Sequence, residues 1–549
     1  MSSTFKLPAN TFMDLDQGPV KMAQKISGVI PGGLEQDNAP YFTNNEGAPW
    51  PDPAHSKNVG GLPLTSDIFL MEKQQAFNRS KTLERMVHPS GSGAFGYFEC
   101  TQDMSRFTKA GLYNQVGKRT PVFTRFSTVT FGREFPDSGR NPRGFAVKHY
   151  TEEGNYDVVG LNFGPDVIRS QQRNPKNFLL DYNSLFDFLA NVPESNHAGL
   201  MFFSDHGTPR GWRFMHGYGC HTFRWVNADG QFVYVKYHYC DEAGRRDFTW
   251  SEAVQMSGED PDFAKRDLWG AIERGEHPAW TMNVQIMSPQ EADPDKLGFD
   301  PFDVTKLREV GRLVLNKNPD DYHRDVEQAA FSPGSMVPGI EDSPDPLLQF
   351  RMFFYRDAQY HRLGSTNIHQ IPVNCPFMSR SFSTPNYAGV MRTDGNTGSN
   401  PHYAPNSFTD KYDRSKVETP YSVASNVVSR KSPFWSEGRP EREYAQAKNL
   451  YLNVMNERDR EAVHKNTAVA LKLVEYPKIV EKYLGQLLAI DEGYARGVWE
   501  NLPDEGRVPW SSVQNTGKTA AIEGKDEKLM PSAKVDKLVG NTPRAPVYN

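Results

Sequence analysis

Cysteine is scarce in this chain. Four occur in 549 residues, at Cys100, Cys220, Cys240 and Cys375. No two are spaced as a C-x-x-C pair, which argues against a zinc or iron–sulfur site. Four thiols in so long a chain do not make a disulfide framework, and a reducing intracellular compartment fits best. Long apolar runs are also missing, so no membrane-spanning helix is expected. The N-terminal stretch MSSTFKLPANTFMDLDQGPV lacks the apolar core of a secretory signal. The chain closes on PRAPVYN, which is not the C-terminal peroxisomal tripeptide. Cytoplasm, or a peroxisome reached by another route, is the expected location. A large excess of either charge is absent: the net charge is −5, which gives no reason to expect nucleic acid as a partner. There is no internal repeat.

What is present is aromatic. Phe, Trp and Tyr make up 12% of the chain, against 23% charged and 37% hydrophobic residues, a balance suited to a large globular core or to enclosing a flat cofactor. Residues 1–85 are rich in Pro, Gly and Asn and read as an extended arm that needs another surface. Residues 86–305 carry the strand signal. PVFTRFSTVTF, GFAVKHY, NYDVVGLN, QFVYVKYHY and WTMNVQIM are β-branched and aromatic, bounded by turn residues. Many strands in one region predict a barrel or sandwich, with a short helical piece around Phe178–Leu189. Residues 306–435 are Pro- and Asn-rich and read as a segment wrapped over something else. Residues 436–505 turn helical, with Ile479, Val480, Tyr483, Leu484, Leu487 and Leu488 forming one apolar stripe. Residues 506–549 read as a mobile tail.

Two distant segments hold the chemistry. FNRSKTLERMVHPSGSG, from Phe77 to Gly93, sets His88 among small residues. RMFFYRDAQ, from Arg351 to Gln359, puts Arg351 and Tyr355 four residues apart, on one face of a helix. A phenol beside a guanidinium is drawn towards an anionic oxygen ligand, of the kind that suits ferric haem iron. A histidine opposite it points to peroxide chemistry. In PVFTRFSTVTF, alternation places Phe123, Arg125, Ser127 and Val129 on one face, an odd set for a core but a sensible one for covering haem.

Both segments resemble the haem catalase family, in its monofunctional, small-subunit, fungal-like form. The stretches GAFGYFE, TRFSTV, NPRGFAVK, RNPKNF, FFSDHG, GYGCHTF, FDVTK, RLVLNKNP, HRLG and PVNCP are similar as well. The resemblance implies an α+β fold: an antiparallel β-barrel core with an N-terminal arm, a wrapping segment and a C-terminal helical region. It implies haem b, usually in a homotetramer. It implies that hydrogen peroxide is decomposed to water and oxygen, in response to oxidative stress. Carried over residue by residue, Tyr355 is the axial iron ligand and Arg351 its partner, with His221 behind the arginine. His88 is the proton carrier and Ser127 fixes its tautomer. Arg85, Arg125 and Arg362 pair with the haem propionates, while Val87 and Val159 line the cofactor. Val87 narrows the channel and counts against allene oxide synthase activity, which has threonine there.

The pattern breaks in four places. Phe354 stands where a small residue is usual. The family's catalytic asparagine falls, without gaps, on Leu161, and Asn162 comes one residue late. Either Leu161 faces the haem, or a bulge brings Asn162 round. After Phe163 an apolar, Phe-rich stretch is missing. After FDVTK a Trp-Pro-His run is missing. That run belongs to the family's NADPH site. His197 and Lys236 match other positions of the site, but His206 replaces its arginine, so NADPH is not expected. The alternative function is a catalase-related haem oxidoreductase of specialised metabolism, such as chanoclavine formation, or one acting on organic and fatty-acid hydroperoxides.

Overall fold

The computed structural model describes residues 41–50, 52–163, 173–291, 307–384 and 442–523, with isolated positions between 386 and 408. The chain wraps an antiparallel barrel from strands β1 (Gly91–Cys100), β2 (Arg119–Thr128), β3 (Arg143–Thr151), β4 (Gly154–Leu161), β5 (Gly217–Tyr218), β6 (Phe223–Val226), β7 (Phe232–Asp241), β8 (Ala279–Met287) and β9 (Leu307–Lys317). The order β8-β9-β1-β2-β3-β4-β5-β7 closes on itself because β7 also pairs with β8. β6 continues β5 along the same edge of β7, and β10 (Ile340–Glu341) pairs with β6.

Strand alternation decides what is inside. Val122 and Phe126 of β2, Phe145 and Val147 of β3, and Tyr156 and Val158 of β4 point into the lumen. They meet Trp212, Trp225 and Trp280 there, in a filled aromatic core. Each such side chain stabilises the barrel by roughly 1.5–3 kcal/mol. The intervening residues Phe123, Ala146 and Val159 pack in a second cluster on the outer face, against Phe331 and Tyr355. The face predicted for cofactor cover is therefore the outside of the barrel.

The helices are α1 (Ile68–Asn78), α2 (Tyr182–Asn191), α3 (Asn196–Phe203), α4 (Trp250–Glu259), α5 (Phe263–Glu273), α6 (Pro346–Leu363), α7 (Arg442–Asn449), α8 (Glu457–Leu471), α9 (Pro477–Ile490), α10 (Glu492–Glu500) and α11 (Trp510–Glu523). α2 and α3 leave the barrel and share a core with α7–α11, through Phe186, Leu189, Leu200 and Phe203. On α9 the predicted stripe is buried at Ile479, Val480, Tyr483, Leu484 and Leu487.

Three expected boundaries shift. The barrel does not end at 305: β9 lies in the segment read as wrapping, because Leu313 and Leu315, and Val310 at a bulge, pack into the lumen core. The stretch read as a mobile tail contains α11, which packs on α9 through Val513 and sets Trp510 against Trp499 at 5.6 Å. Nor is the described part of the arm merely extended, since it forms α1. The missing stretch after Phe163 abuts residues 164–172, and the one after FDVTK abuts 292–306; both lie outside the described residues, as do 1–40, 409–441 and 524–549.

A Cβ on Gly485 would meet Thr516 Cγ2 at 2.9 Å and the Gly517 backbone nitrogen at 3.1 Å. Gly485→Val is expected to push α11 off α9 and destabilise the helical region by about 1–3 kcal/mol. Thermal unfolding checks it: an unchanged midpoint contradicts the packing of α11.

Candidate active site

α6 begins cleanly. Asp345 caps it by accepting from the Leu347 and Leu348 amides, Pro346 occupies the first turn, and Gly364 ends it in the left-handed region at φ 72°. The four-residue spacing then brings Arg351 to Tyr355, as expected. Arg351 Nη2 donates to the Tyr355 hydroxyl oxygen at 2.5 Å. Its Nη1 meets His221 Nε2 at 2.5 Å and the Val159 carbonyl at 3.2 Å. His221 sits in the break between β5 and β6. There Cys220 adopts φ 61°, and the His221 amide donates to the Gly219 carbonyl at 2.7 Å. Burial, then Arg351 and Lys236, push this imidazole well below its usual pKa. It is therefore neutral and keeps a lone pair for the guanidinium.

Across the cavity stands His88, itself in the left-handed region at φ 68°. Three contacts hold it there. Its amide donates to the Val129 carbonyl at 2.9 Å, Arg125 Nη1 donates to its carbonyl at 3.0 Å, and its Nδ1 meets Ser127 Oγ at 2.8 Å. Gly144 makes room for that pair: a Cβ there would lie 2.5 Å from His88 Nδ1 and closer still to Ser127 Oγ. Burial, then Arg125, Arg351 and Arg85, push the His88 imidazole down to about 3. It is a neutral base across the working range.

One end of the cavity is cationic. Arg85 Nη2 donates to the carbonyls of Val326, Glu327 and Ala329 at 2.9, 2.7 and 3.0 Å. Arg362 donates to the carbonyls of Glu327 and Ala329 at 2.6 and 2.9 Å, and to Gln359 Oε1. The carbonyl cluster comes from a π-turn, His323–Glu327, a rare geometry that recurs at functional sites. Arg125 Nε is buried with no hydrogen-bond partner. Sequence reasoning missed Glu327, Gln359 and the π-turn, whose carbonyls carry no side-chain signal.

The space between these groups, open solvent at its mouth included, is about 580 Å³. His88, Ser127, Val87 and Val159 line it together with Tyr355, Arg85, Arg125 and Arg362. Haem fits this set. Three guanidiniums line the cavity and no carboxylate does, which suits a ligand carrying two propionates. Among the described residues no cluster of three metal-ligating side chains occurs. Tyr355 offers the single ligand that an iron already held by a macrocycle requires.

Asn162 does not reach the cavity. β4 runs unbulged to Leu161, so Leu161 takes the outer, cofactor-side face and packs with Val87, Val129 and Cys220. The Asn162 amide is turned away: Oδ1 accepts from Arg143 N at 2.8 Å and Nδ2 donates to the His206 carbonyl at 3.0 Å. Of the two alternatives, the structure places Leu161 on the cavity side and turns Asn162 from it. Phe354 stacks on Phe350 at 5.6 Å, on the side of α6 that also exposes Phe353.

The family model described as Catalase matches residues 43–410, and one described as Catalase-related immune-responsive matches residues 437–502. A peroxisomal catalase of Toxoplasma gondii is 42% identical over 81% of this chain and 91% of its own length. A catalase of Ascaris suum is 38% identical over 90% and 93%. The crystal structure of a fungal catalase superposes with TM-score 0.78 at 35% identity, covering 85% of this chain and 97% of that one. Likeness of this extent, in sequence and in fold alike, makes the chain a member of the catalase family.

Proposed function

We propose that this catalase decomposes hydrogen peroxide to water and oxygen on haem b held between the His88 and Tyr355 walls. One observation carries the reading: a single cavity joins an arginine-bonded phenol, a serine-bonded neutral imidazole and three guanidiniums. Bound haem supplies the redox chemistry of the iron. Tyr355 would supply the iron's protein ligand, and Arg85, Arg125 and Arg362 would hold the propionates. His88 takes a proton from one peroxide oxygen and returns it to the other, so that cleavage releases water and not hydroxide. Ser127 on Nδ1 fixes the tautomer that leaves Nε2 free to accept. Leu161 brings no polar group to this face, so among the described residues the orienting of peroxide falls to His88.

NADPH is not assigned: His206 stands in the place of the arginine, with its ring engaged by Ser204 and Arg245. The oxidases of specialised metabolism are not favoured, because relatives at 38–43% identity are named as catalases. We propose a homotetramer from the family resemblance; among the described residues α1 buries no side chain and leaves Ile68 and Phe77 exposed, which suits a face packed on another copy. No helix among the described residues is long and apolar enough to cross a membrane. Cytoplasm or peroxisome remains the assigned location, the latter supported by the Toxoplasma relative.

His88→Ala is expected to keep a ferric haem spectrum and to lose oxygen release by about 10²–10⁴-fold. Tyr355→Phe is expected to lose stable haem. Full activity in His88→Ala contradicts the proton role, and tight haem in Tyr355→Phe contradicts the ligand role. Gly144→Ala tests the pair beside His88 and should cut turnover while leaving the haem band in place.

Stability should depend on acid in a defined window. His88 and His206 are pushed down to about 3 and His149 to about 4, in each case by burial first. Above the unfolded value near 6.5 both states are neutral and the full stability is present. As pH falls below 6.5 the unfolded chain binds protons that the fold refuses, and stability is lost down to about pH 3–4. Each histidine contributes on the order of 3 kcal/mol to that loss. A thermal midpoint that stays flat from pH 7 to 4 rules this out.

A further inference from the structure

Behind the three arginines that line the guanidinium end of the cavity stands a fourth, which does not line it. Arg133 reaches inward from the surface, its side chain about a quarter exposed, and its Nη2 donates to Glu327 Oε1 at 3.0 Å. Glu327 is buried, and its other oxygen meets Arg85 Nη1 only at 3.4 Å. The aim of Arg85 and Arg362 is set elsewhere, by the carbonyls of Val326, Glu327 and Ala329. The carboxylate therefore adds charge to the cluster more than direction. The cluster is also short of negative charge. Burial pushes Glu327 up, yet Arg85, Arg125, Arg133 and Arg362 outweigh it and hold the carboxyl below its usual range. Nε of both Arg125 and Arg133 is buried without a hydrogen-bond partner. Four guanidiniums against one carboxylate leave three positive charges in excess, and two propionates would leave one.

We propose that Arg133 is a fourth guanidinium of the propionate end, and that Glu327 sets the net charge there and so the tightness with which the haem carboxylates are held. The proposal rests on the reading of Arg85, Arg125 and Arg362 as propionate partners. Neither residue touches the reacting atoms; both are positioning residues. A charge role predicts opposite signs for the two substitutions. Removing the carboxylate removes a repulsion against the propionates. Removing the guanidinium removes an attraction.

The test is haem loss from the holoenzyme to excess apomyoglobin, followed at the Soret band. Glu327→Gln is expected to slow haem loss at least threefold at low salt, and Arg133→Gln to speed it at least threefold. The double variant should return near the wild-type rate. Both differences should shrink in 1 M salt, where the screening length falls to about 3 Å. Single variants that shift the rate in the same direction, or not at all, overturn the proposal, because a merely structural role gives faster loss from both. Should Glu327→Gln not fold, Arg133→Lys decides: the retained charge must give a rate close to wild type, and a glutamine-like rate overturns the charge role. A wild-type protein without a Soret band overturns the cofactor reading as well. A haem-bearing wild type with unmoved variants overturns this proposal alone.

Discussion

The site depends on one guanidinium. Arg351 is buried where helix α6 crosses the outside of the barrel, and it reaches three elements at once: the Tyr355 oxygen on its own helix, the His221 ring in the broken strand, and the Val159 carbonyl of β4. Taking a cation out of water costs several kcal/mol unless dipoles and negative charge surround it. The neutral His221 ring, the carbonyl and the Tyr355 hydroxyl oxygen supply dipoles. The same contacts fix the helix against the barrel. If Tyr355 takes the ligand role proposed for it, ligand chemistry and tertiary docking rest on a single interaction.

The barrel makes that interaction possible by filling itself. A lumen packed with tryptophan, tyrosine and phenylalanine leaves no room for a cofactor inside. The outward face of β2, β3 and β4 is left to do the binding. Period-two alternation then puts Arg125 and Ser127 on the same side as Phe123, and Val159 on the same side as Leu161. The distal and proximal walls come from opposite halves of the chain. Only the closure of the barrel and the return of α6 bring them together.

Much of this was legible in the sequence, for a physical reason. The five strands read from β-branched and aromatic runs all form, and the serine and arginine on the β2 face lie where alternation put them. The helix spacing of Arg351 and Tyr355 was enough to predict their hydrogen bond. Five strands of the barrel sheet escaped notice: β5, β6 and β10 are short, β1 and β9 long. β1 carries three glycines in GSGAFGYFEC, which dilute the strand signal, although neighbouring strands press too closely for larger residues. β9 is polar on one side, and a boundary was drawn just before it. α11 was hidden by the lysine- and glycine-rich composition around it. The π-turn carbonyls could not be seen at all, since backbone groups leave no mark in side-chain pattern, and nothing local ties the Glu327 carboxylate to arginines about two hundred residues away. The position of Asn162 turned on one residue of register, and the unbulged end of β4 settled it.

The left-handed backbone of His88 has a further consequence. A β-carbon in that region costs roughly 1–2 kcal/mol, which glycine escapes and asparagine largely does. The residue proposed to carry the proton is thus one held in a strained backbone. A chain relieved of selection for turnover would gain sturdiness by giving up this histidine first. Loss of activity and gain of stability would then arrive in one mutational step, and a screen for thermal tolerance alone would favour silent enzymes that still fold and still hold their cofactor.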